Sequence, residues 1–132
     1  MIGIIGAGLV GARAIDVLVA SGQVQLAIND NNVAVANRVA SRSSRDSARV
    51  SAVQIAQMFE MNVVVLACPA PHAKATRKLL EAGVSVVSCS DDVEDVLAML
   101  DLDAIARESR QTLVVGAAMS PGLSGQIGRA HV

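Results

Sequence analysis

Met1-Ile2-Gly3-Ile4-Ile5-Gly6-Ala7-Gly8-Leu9-Val10-Gly11 opens the chain, and the order of its parts decides the fold. A short apolar run reads as a buried strand, the three spaced glycines as a turn, and the apolar residues that follow at helical intervals as a helix. Strand, glycine turn and helix in that order form the fingerprint that binds a dinucleotide, and each glycine has its own physical reason. Gly6 permits the tight turn out of the strand. Gly8 lacks a Cβ, so backbone can approach a pyrophosphate, and Gly11 lets the new helix lie close on the sheet. The first-turn N–H groups of such a helix have no partner within the helix and face the anion.

Working outward from that turn, Val10, Ala14, Val17 and Leu18 are expected to form the helix face toward a sheet, and Gly22 to end the helix. Gln23 to Asn29 reads as a second strand through the alternation of Val24, Leu26 and Ile28, and it delivers Asp30 at its C-terminal end. Asp30 stands 19 positions after Gly11, close to the offset of about 20 at which an acidic side chain accepts from the adenosine ribose. A carboxylate there repels a 2′-phosphate, so NAD is the expected cofactor and NADP the alternative, with Arg38 as the cation that would soften the preference. Asn31 or Asn32 caps a second helix carrying Val35, Arg38 and Val39. Serine- and arginine-rich Ser41 to Ser47 is expected to be a loop, Ala48 to Ser51 a third strand and Ala52 to Phe59 a short helix.

The strongest strand is Asn62 to Cys68, where Val63-Val64-Val65-Leu66 suits a strand buried on both faces. Pro69 and Pro71 should end it and open the next helix, with Ala75, Leu79 and Leu80 on the inner side and Lys74, Arg77 and Lys78 outside. Gly83 stops that helix, and Val84 to Ser88 is the fifth strand. Asp91 and Glu94 resemble a capping box for a helix with an apolar stripe of Val93, Val96, Leu97 and Leu100, and Thr112 to Val115 is the sixth strand. Strands alternating with helices imply right-handed βαβ units. The expected fold is α/β, a doubly wound parallel sheet of the Rossmann type, order 3-2-1-4-5-6, with its ligand crevice at the carboxyl ends of strands one and four.

Composition narrows the function classes. The chain has 132 residues, one domain's worth, and a formal net charge of -1, which points to neither nucleic acid nor a membrane surface as partner. No apolar run approaches the roughly 20 residues of a membrane span, and Met1 leads straight into a strand, so a cytoplasmic location is expected. With a single aromatic, Phe59, the core must be aliphatic. Two cysteines, Cys68 and Cys89, make neither a disulfide framework nor a zinc site, and no metal is expected. Cys68 to His72 follows the fourth strand, beside the place of a nicotinamide. His72 is a candidate proton carrier or substrate ligand there, against the plainer reading of a polar residue in a helix's first turn. The expected cofactor contacts are Gly6, Ala7, Gly8, Leu9, Val10 and Gly11 at the pyrophosphate, Asp30 and Asn31 at the ribose, and Cys68, Pro69 and Ala70 beyond.

Gly6 to Gly11, the Pro69 to His72 turn, Ala82 to Ser88 and above all Gly116 to Ser124 (GAAMSPGLS) resemble the NADP-binding domain of the saccharopine dehydrogenase (saccharopine reductase) family. That resemblance implies a dehydrogenase acting on an amino-acid C–N bond, with the Pro121-Gly122-Leu123 turn leading into a substrate domain and a homodimer as an option for the full-length protein. A non-catalytic NAD(H)-sensing module, or the cofactor domain of an aspartate- or homoserine-type dehydrogenase, is the alternative. Ile127-Gly128-Arg129-Ala130-His131-Val132 is what one frame of a common short-read sequencing adapter encodes before a stop codon. Residues 1–126 are therefore expected to be the native cofactor domain, cut before its substrate domain and inactive alone, and 127–132 a non-native tail in which His131 has no catalytic part.

Overall fold

The computed structural model describes residues 1–22 and 25–118; Gln23, Val24, the Pro121-Gly122-Leu123 turn and the tail lie outside them. Six strands form one sheet in the order β3-β2-β1-β4-β5-β6. They are β1 (Ile2–Ile5), β2 (Gln25–Asn29), β3 (Arg49–Ala52), β4 (Val63–Leu66), β5 (Ser85–Ser88) and β6 (Leu113–Val114). Every adjacent pair is parallel, with Ile5 level with Asn29 on one side and Leu66 on the other. The helices are α1 (Leu9–Ala20), α2 (Val33–Ser43), α3 (Ala73–Glu81), α4 (Val93–Leu100) and α5 (Asp103–Glu108), with a 3₁₀ helix at Ile55–Glu60. The doubly wound sheet expected from the sequence is thus the one observed, and the strand order reverses between β1 and β4.

Two aliphatic cores lie on opposite faces of the sheet. One joins Ile4, Leu26, Ile28 and Val50 to Ile15 of α1 and Val39 of α2. The other joins Val64, Leu66 and Val86 to Met58 of the 3₁₀ helix, Leu79 and Leu80 of α3 and Ala106 of α5. The 3₁₀ helix crosses β1 so closely that a Cβ on Gly3 would stand 2.6 Å from Met58 Sδ.

Several local expectations are corrected. In α1 the residues buried are Gly11 and Ile15, while Val10 and Val17 are exposed. The reason is the seating of Gly11 on the turn below it, which rotates its side of the helix to the sheet. The serine-rich segment is helical as far as Ser43, whose hydroxyl donates to Asp16 Oδ1 on α1 at 3.0 Å. Ser44 then caps the end, its hydroxyl donating to the Ala40 carbonyl at 2.9 Å. Pro69 and Pro71 precede α3 rather than sitting in its first turn, and Thr76, not Ala75, joins Leu79 and Leu80 inside. Asp92 replaces Asp91 as cap of α4, accepting from Asp95 N at 2.9 Å. Of the α4 stripe expected to face the core, Val93, Leu97 and Leu100 are turned outward and Val96 is half-buried, while Asp95 and Met99 are buried. Helix α5 had no counterpart in the sequence reading.

Candidate dinucleotide site

The glycine turn is built by packing constraints that differ at each position. Gly6 has φ +105°, and a Cβ on it would lie 2.7 Å from the backbone of Ala67 and Cys68. Only glycine accepts both conditions, so the turn is pressed directly against the end of β4. A Cβ on Gly11 would overlap the Gly6 carbonyl oxygen and meet Ile4 Cγ2 at 3.3 Å. Gly8 is the opposite case: its backbone is extended, it sits at the N-cap of α1, and nothing lies within 4 Å of where its Cβ would be. Neither folding nor packing requires glycine at that point. Helix α1 has no side-chain cap and no acidic residue in its first turn, and the exposed Gly8, Leu9 and Val10 present the positive end of the helix to solvent.

Asp30 joins this turn directly. Its Oδ2 accepts from Ala7 N at 2.7 Å and its Oδ1 from Asn32 N at 2.8 Å. The Ala7 N–H is therefore already satisfied by the protein, and Ala7, which is buried, serves the site through the position of Asp30. Each carboxylate oxygen keeps acceptor capacity for a hydroxyl. Asn32 is the helix cap, accepting from Ala34 N and Val35 N, which leaves Asn31 exposed. A cavity of about 640 Å³ opens at the ends of β2 and β3, lined by Asp30, Asn31, Val33, Asn37, Gln54 and Ile55 among others. Among the described residues no arginine or lysine lines it, and Arg38 is not part of its lining. Asn37 and Gln54 had no signal in the sequence, because lone amides in a helix and a loop carry no periodicity or spacing rule.

Beyond Gly6, Cys68 to Pro71 follow β4, with Pro69 and Ala70 exposed and Cys68 half-buried. His72, by contrast, faces the interior. It is 1 % exposed, its Nε2 lies 2.9 Å from the Cys68 carbonyl oxygen and its Nδ1 2.8 Å from Ser88 Oγ. The carbonyl can only accept, so Nε2 donates to it; in the neutral ring Nδ1 then accepts from the Ser88 hydroxyl, which itself accepts from Ser90 N at 3.2 Å. Both ring nitrogens of His72, the residue read from the sequence as a candidate proton carrier or substrate ligand, are engaged inside the protein. It ties the turn to β5 through Ser88.

Asp95 completes this network from 23 positions away. Its carboxylate accepts from His72 N at 2.8 Å and Ala73 N at 2.9 Å, the start of α3. Burial works against its ionisation, but those two N–H groups outweigh it and hold the carboxyl below the ordinary aspartate range. A carboxylate of the protein itself thus occupies the N-terminus of α3. Burial pushes the thiols of Cys68 and Cys89 up, so neither is an activated nucleophile. Among the described residues no group of three or more His, Cys, Asp or Glu could hold a metal ion, and no helix is long and apolar enough to cross a membrane.

The fold and the family match of residues 1–92 together define an NAD(P)-binding oxidoreductase domain. Residues 1–92 match a described protein family, and the chain belongs to it: NADP oxidoreductase, coenzyme F420-dependent. No curated protein matches the chain. Among solved structures it is similar to apo saccharopine dehydrogenase (L-Glu forming) from Saccharomyces cerevisiae, with 17% identity, 98% of this chain and 31% of that one covered, and a TM-score of 0.73. It is also similar to GenD2 from gentamicin A biosynthesis in complex with NAD, with 22% identity, 86% and 33% covered, and a TM-score of 0.68. Biliverdin reductase from Synechocystis, in complex with biliverdin and NADP+, gives 23% identity, 86% and 36% covered, and a TM-score of 0.70. At these identities the likeness is one of fold. The chain spans about a third of the length of each of these structures.

Proposed function

We propose that this chain is the nucleotide-binding part of an oxidoreductase that prefers NAD to NADP. The observation that carries the reading is the Asp30 carboxylate, hydrogen-bonded to the glycine turn through Ala7 N at 2.7 Å and lining a cavity without a cation. Gly8, Leu9 and Val10 at the uncapped start of α1 would receive the pyrophosphate in the open space beside Gly8, while Gly6 and Gly11 hold the turn in shape. Asp30 and Asn31 would take the ribose, and Cys68, Pro69 and Ala70 would border the nicotinamide, the group that carries the hydride. A dianionic 2′-phosphate next to Asp30 would meet repulsion and no partner.

Charge-assisted hydrogen bonds of this kind contribute on the order of 1.5 to 3 kcal/mol, so NAD should bind at least about tenfold more tightly than NADP. Calorimetric titration of both cofactors into the wild type and Asp30→Ser tests this, with the gap narrowing in the variant. Tighter binding of NADP than of NAD by the wild type would overturn it.

The finer reading, action on an amino-acid C–N bond in the manner of saccharopine dehydrogenase, is supported by the sequence of Gly116 to Ser124 and by the yeast enzyme among the similar folds. On that reading the 132-residue chain binds cofactor without turnover, because hydride transfer needs a substrate held about 3 to 3.5 Å from the nicotinamide.

A further inference from the structure

Two unpartnered surfaces flank α3 on the same side of the sheet. On one flank lies a groove of about 530 Å³ between α3 and the 3₁₀ helix, walled by Ile55, Phe59, Ala75 and Leu79 with Lys74 and Lys78 beside them. No acidic residue lines it, and among the described residues neither lysine has an ion-pair partner. On the other flank packs α4, whose Val93, Leu97 and Leu100 are 71%, 58% and 56% exposed. Their spacing of four and three residues makes one continuous ridge, directly opposite the buried Asp95 and Met99. Glu94 and Asp101 each follow a ridge position by one residue and are seven apart, so they border the same side of it. Helix α4 itself contains no lysine or arginine.

An apolar ridge edged by carboxylates and an apolar groove edged by ammonium groups are complementary in shape and in sign. Because they sit on opposite flanks of one helix, a two-fold axis beside α3 would place each copy's ridge in the other's groove and close the contact. We propose that α4's outward ridge and the α3 groove are the two halves of a self-complementary interface through which two copies of this chain pair. The same pairing explains why a helix can leave three large aliphatic side chains facing outward, which an isolated domain rarely tolerates as a patch.

Sedimentation equilibrium of the 132-residue chain over micromolar to hundreds of micromolar should show a reversible dimer. Leu97→Glu should weaken it by at least about a hundredfold, since it puts a charge at the centre of the ridge. A variant with Lys74→Glu and Lys78→Glu, and another with Glu94→Lys and Asp101→Lys, should each dimerise at least about tenfold more weakly. Mixed in equal amounts, these two charge variants should form a heterodimer, because both of its ridge-and-groove contacts pair opposite charges. Circular dichroism of each variant confirms that it is folded. A wild type that stays monomeric throughout would overturn the proposal, as would a dimer indifferent to Leu97→Glu or a mixture that does not associate. A monomer whose thermal stability falls on Leu97→Glu would also overturn it, since the ridge would then be covered within one chain.

Discussion

Substituting the three glycines one at a time by alanine separates folding from binding. At Gly8 an alanine adds a Cβ into open space on an already extended backbone. The only structural cost is replacing glycine at an N-cap, about 1 kcal/mol at most, or about 4 °C in Tm for a chain of this size. The same methyl stands where a pyrophosphate would have to approach the backbone, so NAD affinity should drop by at least about a hundredfold, or about 2.7 kcal/mol. At Gly6 an alanine must hold a positive φ, which costs about 1 to 2 kcal/mol, and press against the Ala67–Cys68 backbone at 2.7 Å. Adding about 1 to 3 kcal/mol for the overlap gives a loss of about 2 to 5 kcal/mol, a large share of the 5 to 15 kcal/mol that usually holds a domain together. Gly11→Ala should behave like Gly6→Ala, because its Cβ meets the Gly6 carbonyl, which cannot move without opening the turn. Thermal unfolding and calorimetric titration of the three variants check this. A Gly8→Ala protein that binds NAD as the wild type does would refute the placement of the pyrophosphate, and a Gly6→Ala protein of unchanged stability would refute the packing argument.

The buried Asp95 carboxyl titrates below its ordinary range. Between the folded value and the unfolded value near about 3.9 only the unfolded chain binds the proton, so this stabilisation is complete above the unfolded value and is lost as pH falls through the folded one. Asp95→Asn, which keeps an acceptor for His72 N and Ala73 N, should be less stable by about 1 to 2 kcal/mol at pH 7 and converge on the wild type as pH falls through the folded value; parallel denaturation curves at all pH values would contradict this. Cys68 and Cys89, with thiols raised by burial, should react with iodoacetamide at pH 7.5 more slowly than free cysteine and recover the ordinary rate in denaturant. Faster alkylation of the folded protein would show that one of them is activated.

The sheet was legible in the sequence because each of its parts is signalled locally. Val63 to Leu66, mostly β-branched and bounded by Asn62 and Pro69, reads as a buried strand, the spacing of Gly6, Gly8 and Gly11 suits a turn from strand to helix, and Gly22 and Gly83 mark helix ends. From the alternation of such units the strand order follows, since right-handed crossovers leave few arrangements. The proximity of Asp30 to the glycine turn is likewise a matter of spacing along two adjacent strands. The face each helix turns inward is of another kind. Helix α1 has apolar residues nearly all round, so periodicity could not choose between Val10 with Val17 and Gly11 with Ile15; the contact of Gly11 with the Gly6 carbonyl chose. Helix α4 has one clear apolar stripe, yet it presents the opposite side to the core. The N–H groups of His72 and Ala73 at the buried start of α3 need an acceptor, and Asp95 is the side chain within reach. Local hydrophobicity records how a helix would orient on a uniform apolar surface. Burying unpaired backbone donors costs about 1 to 3 kcal/mol each, comparable to the gain from burying a leucine, and where those donors lie is known only once the chain is folded.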